Sequence, residues 1–190
     1  MITGFENMDI SIFKNASSEY LPKVIKYLLI AESPPAFSNS KPEKYFYFSD
    51  VTGADLLFYS VIKAIYDHDF VKGIDDRKTH LRKFADGGYF LIDSVDYPIN
   101  KTRAGNDVSN SVRERIILSN KFRFMKKLKR LANEGVINLD TNVILIKETV
   151  YNVYSGCSLL SVKNEKPLHF PSYVKHKRFV SDMRSLLKLK

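Results

Sequence analysis

A carboxylate followed by two prolines stands at the end of an apolar stretch, and this feature of the sequence most suggests chemistry. Residues 27–31 (YLLIA) have the pattern of a buried strand, and Glu32-Ser33-Pro34-Pro35 follows directly. Ligands of open α/β sheets bind outside the carboxyl ends of the strands. Glu32 is therefore a candidate site residue that orients a water or a ligand. The alternative is a loop in which Glu32 accepts the N–H groups of a turn made rigid by the prolines.

A second carboxylate ends a second apolar stretch. Residues 89–95 (YFLIDSV) form a predicted buried strand in which Asp93 is the first charged residue, and Asp96 follows it. Two carboxylates three residues apart suit either metal or acid–base chemistry, or the capping of a loop. Among the histidines, His169 follows the last predicted strand and is a candidate donor to a developing anion. His68 and His80 are expected to be solvated.

Four consecutive aromatic residues, Tyr45-Phe46-Tyr47-Phe48, follow the proline turn. One of these rings could stack on a ligand, and Phe46 or Tyr47 is our candidate. Consecutive residues of an extended segment face opposite ways, so at least two of the four are expected in the core.

The elements that position these residues follow from periodicity and from turn residues. Strands are predicted over 25–31, 89–95 and 142–147, with a short final strand near His169, and helices over 53–66, 76–86, 110–135, 148–154 and 178–187. The first 22 residues are weakly patterned. Alternating strands and helices predict an α/β protein, a three-layer α/β/α sandwich around a mostly parallel four-stranded sheet. The length favours one domain, residues 1–190.

The composition limits the class of protein. The chain has 30 Lys and Arg against 21 Asp and Glu, a net charge of +9, and 24 Phe and Tyr. A basic, aromatic-rich domain favours a polyanion partner such as nucleic acid, although codon bias in an AT-rich genome produces the same composition. Cys157 is the single cysteine, which excludes an internal disulfide and a four-cysteine metal site. No apolar run is long enough for a membrane helix and no signal peptide is evident, so we expect a cytoplasmic protein.

Four segments, in order, resemble the uracil-DNA glycosylase superfamily. LLIAESPP (28–35) and VTGADLLFYSVI (51–62) resemble its first motif, in which a strand ends in Gly-Glu-small-Pro-Gly and a Gly-x-small-x-x-Leu segment begins the next helix. FLIDSVDYPIN (90–100) is similar to its second strand and proline-containing loop. NVILIKETVYNVY (142–154) resembles the third strand and helix, and FPSYVKHKRF (170–179) resembles the late His-Pro-Ser loop. The resemblance covers about 150 residues, and the Glu-Ser-Pro-Pro turn is its most specific part.

The resemblance implies a domain that binds DNA, flips a base into a pocket at the strand ends, and hydrolyses its N-glycosidic bond without a metal or other cofactor. Such a protein would act in DNA repair. Glu32 and His169 would be catalytic. The residues expected to bind the base are Ser33, Pro34, Phe46, Tyr47, Asp93, Phe170 and Ser172. Those expected to contact phosphate are Lys101, Arg103, Lys175, Lys177 and Arg178.

The sequence departs from the family at the late loop. Phe170 stands where the family has its histidine, and His169 lies one position earlier. A shift of one residue on an extended segment turns a side chain to the other face. Two alternatives therefore remain open: a non-catalytic nucleic-acid-binding module on the same fold, and an α/β protein that binds another small ligand.

Overall fold

The computed structural model describes residues 10–36, 44–51 and 53–189. Along these ranges the chain forms, in order, α1 (Ser11–Ser18), β1 (Tyr27–Ala31), α2 (Leu56–Tyr66), α3 (Arg77–Asp86), β2 (Tyr89–Asp93), α4 (Asn110–Asn133), β3 (Asn142–Leu145), α5 (Glu148–Tyr154) and α6 (His176–Leu187). The prediction of an α/β protein is confirmed.

The strands form one parallel sheet in the order β2-β1-β3. Ala31 pairs with Asp93, and Ile30 pairs with Leu145, so the carboxyl ends of all three strands lie at one edge. The strands are apolar because helices pack around the sheet, and Leu28, Leu29 and Ile30 are completely buried.

The described residues contain three strands, not the four predicted. The segment expected to supply the fourth strand meets β3 at only two isolated bridges, Val143 with Val162 and Ile146 with Leu168. Between these bridges the side chain of Asn164 takes the place of a backbone peptide. Its Oδ1 accepts from Leu145 N (3.0 Å) and its Nδ2 donates to Leu145 O (3.1 Å). The backbone ladder is therefore interrupted, although the segment stays beside β3.

Several helices begin at residues other than those predicted. The α2 helix begins at Leu56 because the Asp55 carboxylate caps it, accepting from Phe58 N at 3.1 Å. The weakly patterned start of the chain contains α1, of which only Phe13 is buried. The α6 helix begins at His176, two residues earlier than predicted.

The Arg77 guanidinium holds the aromatic segment 44–51 against the helices. It donates to the carbonyl groups of Phe48 (2.6 Å), Phe46 (3.0 Å) and Tyr45 (3.1 Å), and to Asp55 Oδ2 (2.5 Å). The same group lies 3.7 Å above the centre of the Phe58 ring. In the part of the chain that the structure describes, no helix combines the length and apolarity needed to span a membrane.

Candidate functional site

Two groups of charged side chains lie at the carboxyl edge of the sheet, and Glu32 is at the centre of the first. Glu32 follows β1 and is 6 % exposed. Its Oε1 accepts from Thr149 Oγ1 at 2.6 Å, while its Oε2 contacts Lys147 Nζ and lies 3.3 Å from an Arg113 nitrogen. Three partners from two segments, α4 and the start of α5, thus surround one buried carboxylate.

This cluster occupies the point where the chain connections diverge. The chain leaves β1 towards β2 on one side, and it leaves β3 towards the bridged segment on the other. Crevices at such points are where open α/β sheets bind ligands. Here an ion-paired cluster lies between the two strand ends.

Lys147 is held in an unusual backbone conformation. Its φ of 84° and ψ of 145° belong to a region that only glycine adopts readily. Lys147 N donates to Leu168 O at 2.7 Å, which fixes this conformation from the neighbouring segment. Burial lowers the pKa of Lys147, and the Glu32 carboxylate opposes that effect. Strained residues of this kind concentrate at ligand sites and switch regions.

The second group is centred on Asp93, whose side chain is buried at the end of β2. Burial raises the pKa of Asp93 to about 7; the Lys127 charge acts to lower it, and the Asp96 charge to raise it. Its Oδ2 has no hydrogen-bond partner among the described residues. A buried carboxyl group with an unused acceptor, titrating near neutral pH, can bind a ligand donor or transfer a proton.

A cavity of about 540 Å³ lies beside Asp93. Its walls combine apolar and aromatic side chains with Asp93, and they include Pro34, Tyr45 and Phe90. This volume is within the range of small-molecule sites, which are mostly apolar with a few convergent polar groups. Glu32 is not part of its lining.

Basic side chains line one side of this cavity. Arg123, Lys127 and Arg130 extend from α4 at helical spacing, and Lys14 extends from α1. Asp96 accepts from Lys127 Nζ (3.0 Å) and lies 3.3 Å from an Arg123 nitrogen. One carboxylate therefore faces several cations, which leaves the rim positive and suited to an anionic group.

Comparison with known proteins identifies no relative. No family model, no curated protein and no solved structure matches the chain. The chemistry of the two clusters is therefore the basis for assigning a function.

The cavity includes some of the residues expected to bind a base. Pro34 and Asp93 line it. Phe46 and Tyr47 do not, because both rings are packed in the core at 3 % and 1 % exposure, so neither is available to stack on a ligand. Tyr47 instead exchanges two hydrogen bonds with the backbone of Leu91. The aromatic residue of that stretch which reaches the cavity is Tyr45.

The late loop lies near Glu32, not at the cavity. The Phe170 ring is 45 % exposed, and its centre is 5.9 Å from Lys147 Nζ. His169 is partly buried beside it. The hydroxyl of the exposed Ser172 accepts a hydrogen bond from Lys175 N at 3.2 Å. Ser33 is in the turn after β1, not in this loop, and its Oγ accepts a weak hydrogen bond from Ile99 N.

The residues expected to contact phosphate lie in two segments away from the cavity lining. Lys101 is paired with Asp107 at 3.0 Å in the loop that follows β2, and the exposed Arg103 is in the same loop. Lys175, Lys177 and Arg178 are exposed around the start of α6, where Arg178 lies 3.6 Å from Asp182.

Sequence reasoning missed the partners of both carboxylates. Arg113 and Thr149 lie 81 and 117 residues from Glu32 along the chain, so no local pattern connects them. The basic rim was visible as a run of charge on α4, but such a run is typical of a solvated helix face. What distinguishes Arg123, Lys127 and Arg130 is their spacing of four and three residues, which places them on one side of the helix.

Proposed function

We propose that this chain is a uracil-DNA glycosylase-like domain that binds a nucleobase of DNA in the Asp93 cavity. The observation that carries the proposal is the buried Asp93 carboxyl group, whose Oδ2 has no partner among the described residues, in the wall of a cavity with a basic rim. Base pockets combine an aromatic surface with polar groups that read the edge of the base.

Each part of the cavity has a role in this proposal. Asp93, ionised or protonated near pH 7, accepts from or donates to the edge of the base. Tyr45 and Pro34 supply a wall for the face of the base. Arg123 and Arg130 contact the phosphates on either side, and the net charge of +9 attracts the polyanion at long range.

If the base is removed, Asp93 is better suited than Glu32 to activate the water. A general base works best when its pKa lies near the working pH, as that of Asp93 does. Glu32 is engaged by Lys147, Arg113 and Thr149, and its role in the proposal is to position the turn that carries Pro34.

The engagement of Glu32 by its three partners also favours a second candidate, a nucleic-acid-binding module without catalysis. In this alternative the ion-paired cluster only holds the strand ends together, and Phe170 beside Lys147 replaces a polar catalytic residue. Binding without base release would select this candidate.

The test measures binding and base release on the same oligonucleotides. Single- and double-stranded DNA with uracil, hypoxanthine or only normal bases is incubated with the protein, and abasic sites are revealed with alkali. The variants are Asp93→Asn and the pair Arg123→Gln/Arg130→Gln. The matched control is Lys126→Gln/Lys129→Gln, which removes the same charge from positions of α4 outside the cavity.

We expect the arginine pair to weaken binding more than the lysine pair does. The plot of the logarithm of the association constant against the logarithm of the salt concentration has a negative slope. In the arginine-pair variant this slope should become shallower by about 0.7–0.9 for each phosphate that the protein no longer neutralises. Asp93→Asn should abolish discrimination between bases, and any base release, while leaving the salt dependence unchanged. Equal effects of the two pairs, with no effect of Asp93→Asn, would contradict the cavity as the binding site. Glu32→Ala is a poor probe because it leaves two partly buried cations without their carboxylate and destabilises the fold.

A further inference from the structure

A third group of side chains, which offer potential metal-ligand atoms, lies away from the sheet edge in the connection between α2 and α3. His68, Asp75 and His80 each offer one ligand atom, and these atoms lie within 4.8 Å of one another. His68 follows the end of α2, Asp75 precedes the cap of α3, and His80 lies in its first turns. None of the three lines the Asp93 cavity.

The His68 ring has a nitrogen available for a ligand. Its Nε2 lies 3.1 Å from Asp75 Oδ2, but not in hydrogen-bond geometry, and it has no other hydrogen-bond partner among the described residues. The ring stacks on that of His80, with centres 5.1 Å apart and planes 20° apart. Two imidazoles and a carboxylate thus meet around one point.

A hydrogen bond to the backbone fixes the orientation of the His80 ring. Its Nδ1 lies 3.0 Å from Asp76 O and donates to that carbonyl, which leaves Nε2 as the ring nitrogen outside this bond. Histidines that bind metals almost always donate their other N–H to a carbonyl or carboxylate in this way. The Phe70 ring packs edge-on against the same imidazole, with centres 5.3 Å apart.

Asp75 is also preorganised. Its Oδ2 accepts from Val71 N at 2.6 Å, and Asp75 N donates to Val71 O at 2.9 Å, which closes a tight loop over Gly73. The φ of Gly73 is 86°, a value that glycine adopts without strain. The Val71 N–H therefore holds the Asp75 carboxylate in place from one side.

We propose that His68, Asp75 and His80 bind a divalent transition-metal ion, with zinc as the best fit. Two imidazole nitrogens and one carboxylate oxygen form a ligand set that zinc accepts, with water in the fourth position. The ligand atoms lie within 4.8 Å of one another, so binding would require side-chain rotations that bring them to the spacing of a tetrahedral site. The ion would cross-link the end of α2 to the start of α3 and so stabilise the loop between them.

The test uses protein without a histidine tag and Zn²⁺ as the probe. The chain has four histidines, so His169→Ala is a control that removes an imidazole outside the cluster. We expect one Zn²⁺ per chain by calorimetry or equilibrium dialysis. His68→Ala and His80→Ala should each weaken this binding at least tenfold, and His169→Ala should leave it unchanged. Asp75→Asn, which keeps the oxygen that accepts from Val71, should weaken it less than removal of a histidine.

Two further measurements separate a metal site from surface binding. Co²⁺ in place of Zn²⁺ should give the visible absorption of a four-coordinate ion, and this absorption should be absent in His80→Ala. Zn²⁺ should raise the melting temperature of the native chain but not that of His68→Ala, whose folding is checked without metal. Binding that is equal in the native chain and both histidine variants would overturn the proposal, as would the absence of binding at millimolar Zn²⁺.

Discussion

Lys147 combines a strained backbone with a partly buried charge. Its φ of 84° costs about 1–3 kcal/mol in a residue other than glycine. The conformation persists because the Lys147 N–H is bonded to Leu168 and its ammonium group contacts Glu32. The backbone strain and the ionic contact can be measured separately.

We predict that Lys147→Gly is more stable than Lys147→Ala by about 1 kcal/mol. Both variants lose the ammonium group, but only glycine relieves the backbone strain. At a position with ordinary backbone angles the order is the reverse, because glycine loses more conformational entropy on folding. Urea denaturation of the two variants measures the difference. Alanine proving the more stable would show that the backbone at residue 147 is not strained.

The charged partners of Glu32 show what sequence can and cannot reveal at this scale. The position of Glu32 at a strand end was readable because apolar residues stop there. Its role was not, since a carboxylate that orients water and one that holds two cations look identical in sequence. Only the folded chain brings Arg113 and Lys147 to within contact of Glu32.

At the scale of elements, Arg77 is the main link between the aromatic segment and helices α2 and α3. Its guanidinium combines three carbonyl acceptors, one carboxylate and one aromatic face, all in a buried position. Lysine has the same charge but not the planar fork that reaches acceptors in several directions.

We predict that Arg77→Lys lowers the free energy of unfolding by about 3–5 kcal/mol, because the Asp55 carboxylate and the carbonyl groups are left poorly paired in the interior. Arg82→Lys is the matched control, since Arg82 is exposed on the same helix. It should change stability by less than about 0.5 kcal/mol. Chemical denaturation of both variants gives the comparison. Similar small effects would mean that the aromatic segment is held mainly by its own ring contacts.

The elements themselves were largely predictable, and the reason is periodicity. Strands buried on both faces are continuous apolar runs, and the amphipathic pattern places each predicted helix to within a few residues of its observed start. The fourth strand was not predictable in detail. Its loss as a regular strand depends on the Asn164 side chain replacing a backbone peptide, and an asparagine in the sequence does not indicate which partner its amide will find.

At the scale of the whole molecule, Asp93 links the candidate site to the stability of the fold. Burial raises its pKa from 3.8 to about 7, so the folded chain holds a proton on Asp93 that the unfolded chain has already released above about pH 4. Between about pH 4 and about pH 7 the unfolded state binds fewer protons than the folded state. The contribution of Asp93 to stability therefore falls as the pH rises through this range.

We predict that Asp93→Asn is more stable than the native chain at pH 8, by up to about 4 kcal/mol, and nearly equal to it below pH 4. Asparagine keeps the shape of the side chain and cannot ionise. Denaturation across this pH range tests the prediction, because the other titrating groups are common to both proteins. A difference between the two proteins that does not change with pH would show that Asp93 titrates near its ordinary value. A gain in stability with a loss of ligand discrimination is the combination expected of a site residue.

One side chain also has a consequence for how copies of this protein meet each other. The β2 strand is at the border of the described sheet, and the outward N–H and C=O groups of such a strand can template the addition of a foreign strand. Tyr47 places a hydroxyl there that donates to Leu91 O at 2.9 Å and accepts from Leu91 N at 2.7 Å. The middle of the border strand is thereby already paired by a side chain of the same molecule. The N–H and C=O groups of Leu91 are therefore not available to pair with a strand of a second copy.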